Sequence, residues 1–66
     1  MYKLRRVRQE RGYSLADLVR LTGIHESDLS QLERGLRQPF PTWRKRLSRA
    51  LKTPEDELFR EVDDEP

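Results

Sequence analysis

The stretch from Ser14 to Gly35, Ser-Leu-Ala-Asp-Leu-Val-Arg-Leu-Thr-Gly-Ile-His-Glu-Ser-Asp-Leu-Ser-Gln-Leu-Glu-Arg-Gly, constrains this chain most, because it reads as two short amphipathic helices joined by a tight turn. Leu15, Leu18 and Val19 repeat at helical spacing, Thr22-Gly23-Ile24 interrupts the run, and Leu29 and Leu32 resume it up to Gly35. Ser14 can cap the first of these helices. Asp17, three residues on, completes a capping-box pattern and also suits the positive helix end. Gly23 supplies the left-handed backbone that a sharp turn needs.

The flanking sequence adds three more helices. A first helix is expected over Tyr2 to Arg11, with Leu4 and Val7 facing inward, Lys3, Arg5 and Arg6 facing outward, and Gly12 ending it. The second half of the central stretch predicts a helix from about Glu26 to Arg34, which leaves Glu26, Ser27, Ser30 and Gln31 on or near its outer face. Residues 35–41 form a proline-bounded loop, after which Thr42 can cap a fourth helix carrying Trp43, Leu47, Ala50 and Leu51 on one side. Thr53-Pro-Glu-Asp opens a fifth, with the proline at its first position, bringing Leu58, Phe59 and Val62 to the core. The expected fold is therefore all-α, a compact five-helix bundle in one domain over residues 1–62, followed by a frayed acidic tail at 63–66.

Sixty-six residues stand near the lower limit at which a hydrophobic core holds a fold without a staple. With no cysteine, zinc fingers, thiol catalysis and disulfide scaffolds are excluded together, and a cytoplasmic location is expected. No apolar run approaches membrane-spanning length, and Met1-Tyr-Lys-Leu-Arg-Arg lacks the apolar centre of a signal peptide. His25, the single histidine, reads as a cap or turn residue, having no second His or Cys with which to hold a metal. Ser27 and Ser30 have no base nearby in the sequence to activate them, so catalysis has no support and no cofactor is implied.

Charge points to a different kind of work. Residues 1–52 hold 13 Lys and Arg against 5 Asp and Glu, a balance of +8, whereas residues 53–66 hold 1 against 7, a balance of −6. A basic body with an acidic end suits a polyanionic partner, although a charge-rich small protein also needs a solvated surface. A short helix presented at an angle by a rigid neighbour fits the major groove of DNA.

Four segments in order, Arg-Gly-Tyr-Ser-Leu, Leu-Val-Arg-Leu-Thr-Gly-Ile, Leu-Ser-Gln-Leu-Glu-Arg-Gly and Ala-Leu-Lys-Thr-Pro-Glu-Asp-Glu-Leu-Phe, closely resemble the phage-repressor and Cro-like helix-turn-helix family, often called the XRE family. The resemblance covers about Leu4 to Phe59. It implies a lambda-repressor-like bundle with the helix-turn-helix at helices 2 and 3, and a transcriptional regulator that binds a palindromic operator in double-stranded DNA as a homodimer. Carried over residue by residue, it places Glu26, Ser27, Ser30 and Gln31 against base edges and makes Ser14 and Arg34 phosphate contacts, with Arg37 and Gln38 flanking the backbone. Arg8 and Glu33 match an internal ion pair tying helix 1 to helix 3.

The chain departs from the family pattern in several places. Leu15 stands where relatives commonly carry a phosphate-gripping glutamine, and His25 where they cap the recognition helix with Ser or Thr. Glu26 and Asp28 lie where phosphates would approach; either Glu26 accepts from a cytosine amino group, or both carboxylates only stabilise the helix start. The basic run Arg44-Lys-Arg46 with Arg49 is either a solvated face or a substitute phosphate anchor, and Trp43 reads as core. The same departures suit a second reading, a protein-interaction module on this fold that binds a protein partner.

Overall fold

Nine aliphatic side chains, Leu4, Val7, Leu18, Ile24, Leu29, Leu32, Leu47, Leu51 and Leu58, are almost wholly shielded from solvent and meet in one cluster. The computed structural model describes residues 1–62, and the acidic tail expected at 63–66 lies outside the described residues. Five helices carry the cluster: α1 (Leu4–Glu10), α2 (Leu15–Thr22), α3 (Glu26–Glu33), α4 (Pro41–Leu51) and α5 (Glu55–Leu58). The all-α, five-helix fold expected from the sequence is the one observed, with no strand among the described residues. Tyr2, Tyr13, Leu15, Val19, Trp43 and Phe59 close over the cluster as a half-buried shell.

The helix ends explain why the elements start and stop where they do. At α2 the capping box is complete: the Ser14 hydroxyl accepts from the Asp17 backbone N–H at 3.1 Å, and the Asp17 carboxylate accepts from the Ser14 N–H at 2.8 Å. Gly23, at φ +73°, turns the chain out of α2 while donating to the Val19 carbonyl. The Thr22 hydroxyl donates to Leu18 O and accepts from the Ile24 N–H, so a polar side chain is buried in the turn with its hydrogen bonds made. Two arginines distant in sequence complete other ends. Arg46 Nη1 donates to the Thr22 carbonyl at 3.3 Å, and Arg11 donates to the carbonyls of Leu51 and Lys52 and to the Thr53 hydroxyl, all at the end of α4. There Lys52 takes a left-handed conformation, φ +53°, that a β-carbon disfavours by about 1–2 kcal/mol.

Several boundaries differ from expectation. Tyr2 is not helical but forms an isolated antiparallel bridge with Glu61, flanked by hydrogen bonds from Lys3 N to Arg60 O and from Val62 N to Met1 O. Lys3, expected to face solvent, donates to Glu57 at 2.8 Å and ties α1 to α5; that bond holds the Glu57 carboxyl below its usual range. Pro41 takes the first position of α4 and Phe40 the cap position, so Thr42 lies inside the first turn and caps nothing. Pro54 stands at the cap of α5, which ends after Leu58; Val62 thus lies beside the bridge and not in a helix, and Phe59 is half-buried. Trp43 is also half-buried, packed on the core from one side.

The Arg8–Glu33 pair forms as the resemblance implied. Arg8 Nε and Nη2 meet the two Glu33 oxygens at 2.5 and 3.1 Å, and Nη1 donates to the Tyr13 carbonyl at 2.8 Å. Glu33 is only 4% exposed, so loss of its partner would strand a charge away from water. We expect Arg8→Ala to destabilise the fold by about 3–5 kcal/mol, and joint replacement of both residues by apolar ones to cost less than that single change. Urea unfolding of the two variants beside the wild type checks this; equal losses in the single and double variants would refute it.

The α2 cap makes a second expectation. The Ser14 backbone N–H, then the Ser14 hydroxyl, then Arg20 hold the Asp17 carboxyl below its ordinary value. Because the folded value is the depressed one, the contribution of this cap is present above the unfolded aspartate range and is lost as pH falls through the lowered value. NMR titration of the Asp17 carboxyl should place its midpoint below that of an unstructured aspartate, and an ordinary midpoint would contradict the capping box.

Candidate nucleic-acid interface

The candidate surface is built on α3, whose residues divide between two faces. Leu29, Leu32 and Glu33 point into the protein, and Ile24 anchors the turn that leads in. Residues 27, 30, 31 and 34 recur at helical spacing on the other side, giving one stripe of Ser27, Ser30, Gln31 and Arg34. Ser27 and Arg34 are exposed, and Ser30 and Gln31 are half-buried at the base of the stripe. Glu26 lies exposed beside its start, with no hydrogen bond or ion pair among the described residues.

The start of α3 is held by His25. Its Nδ1 accepts from the Ser27 backbone N–H at 3.2 Å and lies 2.9 Å from the Ser27 hydroxyl, so the imidazole does the work usually done by a serine or threonine cap. Ser27 is consequently engaged by its own helix cap, whereas the side chains of Ser30 and Gln31 make no hydrogen bond among the described residues.

A hollow of about 340 Å³ separates α3 from α1 and α2, lined by Arg5, Arg8, Leu15, Ser30, Glu33 and Arg34. It brings the N-terminal end of α2 beside the α3 stripe. Ser14, next to Leu15, is exposed there, with its hydroxyl engaged by Asp17 in the capping box. Leu15 is half-buried on the core edge and has no polar group to reach outward. Arg5 and Arg34 are exposed at the mouth of the hollow and are unpaired among the described residues. Arg5 carried no assigned role in the sequence. Its signal was its place on the exposed side of α1, one helical turn before Arg8.

On the far side of the stripe, the loop after α3 supplies Arg37 and Gln38, both exposed. Gln38 makes no hydrogen bond among the described residues. Arg37 Nε lies 3.6 Å from Asp28 Oδ1, and its guanidinium sits over the Trp43 ring, 5.6 Å from the centroid. Asp28 is thereby neutralised and does not stand as a bare carboxylate on this surface.

The basic run on α4 divides in two. Arg44 pairs with Glu55 at 3.2 Å and Asp56 at 3.9 Å and lies over the Phe59 ring, and Arg46 caps α2, so neither is the free phosphate anchor that the run suggested. Lys45 and Arg49 are exposed and unpaired among the described residues. No helix among the described residues is long and apolar enough to cross a membrane.

Comparison with known proteins gives one family. The family model described as a helix-turn-helix domain matches residues 3–60, while no curated protein and no solved structure gives a significant match. The matched span runs from the residue before α1 to the residues after α5 and includes the α2–turn–α3 unit and its capped ends. The chain belongs to the helix-turn-helix domain family, whose fold binds DNA.

Proposed function

We propose that this domain binds double-stranded DNA in a sequence-specific way, as a small transcriptional regulator, with α3 in the major groove. The observation that carries the reading is the polar stripe of α3, which Arg34 closes, set between Arg5 on one side and Arg37 on the other. Gln31 can pair bidentately with adenine, Ser30 and Ser27 can reach either kind of base edge, and Glu26 can accept from a cytosine amino group. Ser14, Arg34, Arg37 and Gln38 hold phosphates and fix the register without reading sequence. One helix of eight residues touches few base pairs, so a homodimer on a palindromic operator, with half-sites about 34 Å apart, is the arrangement that yields useful specificity.

Phe59 stacks edge-on against Tyr2 at 5.4 Å and lies under Arg44, so its ring is engaged within the domain. Leu36 and Phe40, at 68% and 52% exposed, are better candidates for contact with a second molecule. The exposed, unpartnered carboxylate of Glu26 and the apolar Leu15 favour a second reading, a module that binds a protein partner through the same face.

Selection of bound duplexes from a random pool at near-physiological salt separates the two. We expect a short palindromic motif to be enriched; binding that appears only at low salt, with no motif, would favour the protein-partner reading. On the enriched site Gln31→Ala should cost about 1–3 kcal/mol and relax a single base position. Arg34→Ala should instead weaken all sequences alike and lower the salt slope by about one, as a lost phosphate contact does. Equal losses on cognate and random duplexes for both variants would contradict the assignment of Gln31 to base reading.

A further inference from the structure

We propose that Asp28 is a positioning residue for Arg37: together with Trp43 it fixes the guanidinium by one edge and one face, so that both terminal nitrogens are offered to a DNA phosphate. This inference rests on the DNA-binding reading. A carboxylate in the first turn of a groove-reading helix is unfavourable beside phosphates unless something neutralises it. Here Arg37 returns from the following loop and places Nε 3.6 Å from Asp28 Oδ1. The guanidinium lies over Trp43, and Trp43 is steadied by Phe40, edge-on at 4.7 Å, and by the core on its inner side. These contacts use Nε and the planar face. Nη1 and Nη2 make no hydrogen bond among the described residues, and the Arg37 side chain remains 41% exposed.

That division of labour suits phosphate recognition. A guanidinium can bind a phosphate through two parallel N–H groups while its remaining edge meets a carboxylate. An arginine held in this way loses less side-chain freedom on binding than one on an unconstrained loop. Asp28 therefore trades long-range attraction for geometry: it cancels one charge at a distance and orients the cation at contact. The clamp also ties the 35–40 loop to the first turn of α3, so the phosphate contact and the base-reading stripe keep a fixed spacing.

The test is a pair of measurements on the full chain with Asp28→Asn, Arg37→Ala and the double variant. Trp43 is the only tryptophan, so its emission and its indole NMR signal report the clamp without DNA. In Asp28→Asn both should move toward the Arg37→Ala values; an Asp28→Asn spectrum unchanged at Trp43 and at the Arg37 Nε–H overturns the clamp. Binding is then measured on the motif enriched from the random pool, or on a mixed-sequence duplex at low salt if none is enriched.

Arg37→Ala should weaken wild-type binding by about tenfold or more, the worth of a charge-assisted contact. The same change made in the Asp28→Asn background should cost at most about a third as much, since the fork is already loose. If Asp28→Asn instead tightens binding and Arg37→Ala costs the same in both backgrounds, Asp28 only repels DNA and the proposal falls while the DNA-binding reading stands. If the wild-type chain binds no duplex at any salt concentration, that reading falls and the phosphate role with it.

Discussion

The buried pair of Arg8 and Glu33 is the contact on which the rest of the arrangement depends. A carboxylate at 4% exposure in the last turn of α3 is tolerable only because the Arg8 guanidinium meets both of its oxygens. The third nitrogen of that guanidinium binds the Tyr13 carbonyl, in the turn between α1 and α2. One side chain thus joins the first helix, the turn before the second and the end of the third. The hollow that holds Leu15, Ser30 and Arg34 is built directly against this pair, so the spacing between the α2 start and the α3 stripe is set by it.

Several cations of this basic chain are engaged within the fold. Arg8 is spent on Glu33, Arg11 on the end of α4, Arg46 on the end of α2, and Arg44 on the acidic start of α5. Lys3 joins them through Glu57. These residues add to the glycine turns and the aliphatic core in holding so small a domain together. What remains for a polyanion is a shorter set, and Arg5, Arg34 and Arg37 of that set lie around α3, whereas Lys45 and Arg49 lie on α4. Because Lys3 and Arg44 pair with carboxylates of α5, which lie outside the count for residues 1–52, the balance of +8 overstates the field that a DNA backbone would meet.

Local signals in the sequence carried most of the fold. Ser14 with Asp17, Gly23, and the repeats of leucine are each set by neighbours within four residues, and each is realised as expected. Thr42 was misplaced by two positions and Pro54 by one, because proline at the start of a helix does not say whether it is the cap or the first helical residue. Tyr2 and Val62 were assigned to helices because nothing local reveals that the two ends pair with each other.

The site divided in the same way. The stripe of α3 was legible from helical periodicity alone. The partners of Asp28, Arg44 and Arg46 were not, because each lies across a loop or on another helix, where sequence spacing carries no information. Arg8 with Glu33, 25 positions apart, was reached only through the family resemblance.

The bridge between Tyr2 and Glu61 alters how the architecture is best described. With Lys3 bonded to Glu57 and the backbones of residues 1–3 and 60–62 hydrogen-bonded side by side, the helices form a closed cycle and not a line with two loose ends. In such a cycle, the order in which the helices are strung is separate from the contacts that hold them. The helix-turn-helix unit then stands as one arc of a ring of helices, shaped by its neighbours in space as much as by those in sequence.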